Sequence, residues 1–116
     1  MAINISAQDL LQAIAEAGCF QQVTLHTEGP IIKGYGYIST RLFVRFYVNQ
    51  HTETIAFALI QNQERIWGID RDNRRGWHQH PLGAPDSHLA IEPLSLAEIM
   101  QELLSILRRL QMFEDK

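Results

Sequence analysis

Between Gln22 and Asp70 the chain is a succession of strand-like segments joined by gaps too short for a crossover. A parallel connection needs a dozen or more residues, whereas antiparallel neighbours need only a turn. That spacing restricts this part of the chain to an antiparallel meander. Val23–Glu28 alternates and is broken at Gly29-Pro30, and Tyr35–Ser39 follows, with Gly34 and Gly36 leaving room for tight bends. Leu42–Asn49 (LFVRFYVN) carries the strongest strand signal, being rich in β-branched and aromatic residues. Its alternation puts Leu42, Val44, Phe46 and Val48 on one face and Phe43, Arg45 and Tyr47 on the other. After a hairpin connection at Asn49–Thr52, Thr54–Ile60 (TIAFALI) is apolar on both faces, as a central strand is. Gln61-Asn62-Gln63 then turns the chain back along Arg65–Asp70.

Helices flank this region. Ser6 followed by Asp9 marks a helix start, Leu10, Leu11, Ile14 and Ala15 continue at helical spacing, and Gly18 stops it, predicting a helix over 7–17. Near the C-terminus, Pro93 precedes the capping box Ser95–Glu98. Leu96, Ile99, Met100, Leu103, Leu107 and Leu110 then form an apolar stripe, widened by Leu104 and Ile106. The expected fold is α+β and a single globular domain over 1–116. It has an N-terminal helix, an antiparallel sheet of four to five strands, and a long C-terminal helix packed on one sheet face. The other face should keep Arg45, Tyr47 and loop residues near solvent or a partner.

A hydrophobic fraction of 46% and a charged fraction of 20% belong to a globular chain able to bury a core. The net charge of −3 argues against nonspecific binding of nucleic acid by the whole surface. Charge is uneven, however: Arg65, Arg71, Arg74 and Arg75 face only Asp70 and Asp72 between 65 and 81. A local basic patch on an acidic body suits a single anionic group. Cys19 is alone, which removes a disulfide framework and any cysteine-based zinc site, and fits a reducing compartment. No apolar run approaches membrane-spanning length and MAINISAQDL lacks the regions of a signal peptide, so no membrane and a cytoplasmic location are expected.

The segment from Asp70 to Glu92 separates the strands from the last helix and holds three of the five histidines, His78, His80 and His88. Core-building residues are sparse in it, and a loop that long in a small domain is either functional or disordered; Trp77, Leu82, Leu89 and Ile91 argue against disorder. His78 and His80 are one residue apart. If extended, as Pro81 favours, they point the same way. Such a pair serves as general base and general acid, or binds a metal with His88 or Asp72 as third ligand, or is simply polar surface. Arg71, Arg74 and Arg75 are suited to phosphate, although Asp72-Asn73-x-x-Gly76 is equally good turn chemistry. Asp72 could orient a histidine or pair with an arginine. Trp77 could stack on a base or anchor the core.

The stretch Phe43–His80 with the capped helix after it resembles the TumE-like toxins of prokaryotic toxin–antitoxin pairs. The likeness rests on Arg71-Asp72-Asn73 and on His78-Gln79-His80, with Arg71 standing where the family often has an aromatic. It implies a toxin acting on RNA or translation, neutralised by a helix-turn-helix antitoxin. On that reading the chain is a metal-independent ribonuclease needing no cofactor. His78 and His80, with Asp72, are its catalytic residues, and Arg71, Arg74, Arg75, Trp77 and His88 bind substrate. Two other functions fit the same residues: a noncatalytic module that dimerises, through Thr54–Ile60 if that strand is not central, and a histidine-based metal-binding protein.

Overall fold

The computed structural model describes residues 4–114, with side chains through Gln111. The helix α1 spans Ala7–Ala17, the strands are β1 Gln22–Glu28, β2 Ile31–Tyr37, β3 Leu42–Asn49, β4 Thr54–Gln61, β5 Glu64–Asp72, β6 Gly76–His80 and β7 Leu89–Ala90, and α2 spans Leu96–Glu114. The strands form one sheet in sequence order, every neighbour antiparallel. This is the expected α+β meander between two helices. The count of four to five strands is corrected to seven, because β6 and the two-residue β7 extend the sheet into what reads in sequence as a loop. β4 is the middle strand, so Thr54–Ile60 offers no free edge for a dimer.

Local chemistry accounts for the element boundaries. Ser6 and Asp9 close a reciprocal capping box on α1, and Gly18 ends it with φ +70°. On α2 the Glu98 amide donates to Ser95 Oγ while Glu98 Oε1 accepts from the Ser95 amide. Asn62 and Gln63 both take positive φ, the handedness that a two-residue hairpin needs to match strand twist.

Alternation then sorts the side chains. Cross-strand partners share a face, so Ile32, Val48 and Ile55 align, as do Phe46, Phe57 and Ile69, and Val44, Leu59 and Trp67. These nine are buried together with Leu10, Ala13 and Ile14 of α1 and Ile99, Met100, Leu103 and Ile106 of α2. Both helices therefore cover one sheet face. Phe46 and Phe57 meet edge to face with ring centres 5.3 Å apart. At Gly36 an added Cβ would lie 2.7 Å from the Phe20 ring, so the strand passes too close to that ring for a side chain.

The core interaction at Phe57 sets a measurable cost. Phe57→Ala removes a ring that is 1% exposed and leaves a void between β3 and β5. It should lower unfolding free energy by about 3–5 kcal/mol in urea titrations, a large share of a domain's usual margin.

Candidate metal centre

The face opposite the helices carries the chemistry-bearing residues. Asp70 pairs with His78 and Gly68 with His80 across β5 and β6, so Asp70, His78 and His80 project from the same side. The turn between these strands fixes that register. Asp72 pairs with Gly76 around a three-residue loop, and Gly76 takes φ +66°, as hairpins of this length require. Asp72 Oδ1 accepts from the amides of Arg74 (2.9 Å) and Arg75 (2.7 Å) and holds the loop closed. Those bonds, the Arg75 amide foremost, keep the Asp72 carboxyl below its ordinary value.

β7 brings in the third histidine. His78 pairs with Ala90 and Gln79 with Leu89, so continuing the register sets His88 against His80. The rings form a triangle: His78–His80 centroids are 5.3 Å apart, His78–His88 5.4 Å and His80–His88 4.7 Å. One nitrogen from each lies within 4.8 Å of the other two. His78 and His80 are only 4% and 2% exposed, whereas His88 faces solvent.

Hydrogen-bond geometry at the two buried imidazoles is unusual. His80 Nδ1 lies 3.0 Å from the Pro85 carbonyl oxygen, and His78 Nδ1 3.2 Å from that of Gly76. A carbonyl oxygen only accepts, so each Nδ1 carries the hydrogen and donates. The opposite nitrogens both face Asp70 Oδ2, at 2.9 Å from His80 Nε2 and 3.5 Å from His78 Nε2. A carboxylate also only accepts. Each ring is thus flanked by acceptors at both nitrogens. One imidazolium, at His80, would form a neutral pair with Asp70, whereas a second cation there would leave net positive charge beside two nearly buried rings, which is costly. Neutral rings with Nδ1–H on a backbone carbonyl leave two Nε2 lone pairs and a carboxylate oxygen converging on one point. That is how metal-bound histidines are held from behind. Bonds of about 2.05 Å at tetrahedral angles put neighbouring ligand atoms about 3.3 Å apart; the distances of 2.9 and 3.5 Å lie either side of that. Slight desolvation by its neighbours, followed by the nearby charges of Arg75, His80, His78 and Arg65, holds the solvent-facing His88 imidazole below the ordinary value.

The remaining sequence candidates lie elsewhere. Arg71 donates to the Glu53 carbonyl and Asn73 Oδ1 and pairs with Glu53, 3.7 Å away, tying the β3–β4 and β5–β6 turns together from the other face of the sheet. Trp77 pairs with Arg71 on the helix side, packs against the core and cannot reach the histidines' face. Arg74 is exposed at the hairpin tip. Arg75, exposed beside it, and Arg65, which reaches Pro85 O at 3.4 Å, are the cations near His88. Asp70, at the end of the fifth strand expected from the sequence, and Arg65, there only one of four arginines in a basic patch, join the site through the fold. Comparison with protein families, curated proteins and solved structures returns no match for the chain.

Asp72 is separable from the centre. Asp72→Ala removes the carboxylate oxygen that accepts from two amides of an exposed turn and should cost about 1 kcal/mol at pH 7, the low end for bonds to a charged group in solvent. A carboxyl whose folded value is depressed stabilises above its unfolded value, 3.8, and loses that contribution as pH falls below it. The gap between parent and variant urea midpoints should therefore narrow as pH is lowered below about 4.

Proposed function

We propose that the chain is a metalloprotein whose His78, His80 and His88, with Asp70, bind one divalent transition metal. The observation that carries this is the convergence of one nitrogen from each of three imidazoles within 4.8 Å of one another, with the Asp70 carboxylate facing the two buried rings. A set of three imidazoles and one carboxylate suits zinc and its first-row neighbours better than magnesium or calcium, which prefer oxygen. The centre is walled by β5 and β6 on one side and reaches solvent at His88. A metal there has room to polarise a substrate oxygen or to lower the proton affinity of a bound water. Arg65 and Arg75 nearby favour an anionic substrate such as a phosphoester. Asp72, sitting in the turn, takes no part in this reading.

The metal-independent ribonuclease has a weaker basis, since both Nε2 atoms are directed at one carboxylate oxygen instead of at open space. The toxin reading, with RNA as target and a helix-turn-helix antitoxin as partner, stands on the Arg71–His80 sequence motif. Growth arrest on expression of the chain alone, relieved by His80→Gln, would join that reading to this centre.

Purified without chelator, the protein should carry one metal per chain by elemental analysis. The EDTA-stripped form should rebind zinc with a rise in melting temperature. His80→Gln and Asp70→Asn should each weaken zinc binding at least a hundred-fold, and affinity should fall at acid pH, because protonated imidazoles cannot ligate. Chain that arrives metal-free and shows no heat of binding on titration with zinc, cobalt or nickel would remove the proposal.

A further inference from the structure

The sheet face opposite the helices has a second half, over β1–β3, that nothing among the described residues covers. We infer that this half binds single-stranded nucleic acid, with bases on its aromatic rings and phosphates on its cations. Register places Tyr35 opposite Arg45, Tyr37 opposite Phe43 and Lys33 opposite Tyr47. Tyr35, Tyr37 and Phe43 form one cluster, with centroids 5.2 Å (Tyr37–Phe43), 5.7 Å (Tyr35–Phe43) and 6.4 Å (Tyr35–Tyr37) apart. Tyr35 is 43% exposed, unusual for a large ring in the middle of a strand. Beside it, Lys33, Arg45 and Tyr47 border a hollow of about 470 Å³ floored by Ala56, within the size range of small-ligand sites.

Charge selects the occupant. From Gln22 to Asn49 the chain carries Lys33, Arg41 and Arg45 against Glu28 alone, although the whole protein is at −3. Among the described residues no carboxylate pairs with Lys33 or Arg45. Cores of protein–protein interfaces are depleted in lysine, so unpaired cations in the middle of this face fit another copy of the chain poorly. Exposed rings interleaved with cations are the arrangement that stacks bases and holds the backbone between them. The face is also continuous with the histidine centre, because Arg45 borders both the hollow and a cleft lined by Glu64, Arg65, Pro85 and Asp86. From β2 to β6 is four strand spacings, about 19 Å, a span that a short oligonucleotide covers. The inference stands whether or not the histidines hold a metal.

The test is fluorescence anisotropy of a labelled single-stranded RNA 12-mer of mixed sequence, titrated with the full chain in EDTA so that metal plays no part. Binding should saturate, and log affinity should fall against log salt with a slope near −1.4 to −2.1, as two or three displaced counterions give on a single strand. Tyr35→Ala and Arg45→Glu, both at exposed positions, should weaken binding about ten-fold or more with unchanged melting temperatures. Arg109→Glu, on the exposed side of α2, should change it less than two-fold. The inference fails if no saturable binding is seen at low salt, if the Tyr35 and Arg45 variants bind like the parent, or if Arg109→Glu weakens binding as much as they do. It fails equally if a duplex of the same length binds as tightly, or if light scattering shows a dimer that Tyr35→Ala dissociates.

Discussion

Both helices lie on one face of the sheet, and that asymmetry governs the other face. Side chains alternate along a regular strand, so once Val44, Phe46, Phe57, Leu59, Trp67 and Ile69 are committed to the helices, Arg45, Ala58, Asp70, His78 and His80 are committed to the opposite side, and the bulge that sets Leu59 against Trp67 but Ile60 against Arg65 turns Arg65 to that side as well. A one-residue slip in any pairing would exchange the two sets. The apolar core therefore fixes the position of the polar centre, even though no residue of the centre contributes to the core.

Turn chemistry transmits this constraint to the histidines. The Asp72–Gly76 hairpin sets β6 against β5, and with that register Asp70 falls opposite His78 and one step from His80. The same turn contributes the Gly76 carbonyl that faces His78 Nδ1. On the other side, Pro85 accepts from both His80 and Arg65, so the 81–88 segment is tied to β5 and β6 through its backbone. Two carbonyl oxygens, each supplied by a turn, orient two rings towards one carboxylate. The burial of those rings makes the arrangement expensive unless every lone pair and hydrogen is used.

The sequence disclosed the scaffold more fully than the centre. Both helices were legible because capping residues stand at their starts and an apolar stripe repeats at helical spacing on α2. β3 and β4 were legible because alternation and β-branching agree there. β6 and β7 were not, since Trp77-His78-Gln79-His80 lacks an apolar alternation and Leu89-Ala90 is two residues long. β6 owes its strand character to pairing with β5, and β7 to pairing with β6, which are nonlocal causes. Asp70 was overlooked for the same reason: nothing in the linear chain distinguishes it from Asp72, two residues on. The distinction lay in the turn. Reading Asp72 and Gly76 as the closing pair of a three-residue hairpin counts back to Asp70 opposite His78, and assigns Asp72 to the turn amides. Arg71 and Trp77 fall on the helix side by the same count.

The position of His88 explains how such a centre can be both built and open. His78 and His80 belong to a strand held by β5 along its length, so they are in place before any ligand arrives. His88 immediately precedes the shortest strand, whose register with β6 rests on two pairs. Local stability follows local contact, so β7 is the part of the sheet that opens most easily. A cation bridging His88 to the two buried rings would close that edge, and the free energy of binding would be spent partly on ordering β7. Metal affinity and the integrity of the sheet's last strand are on this account a single linked quantity.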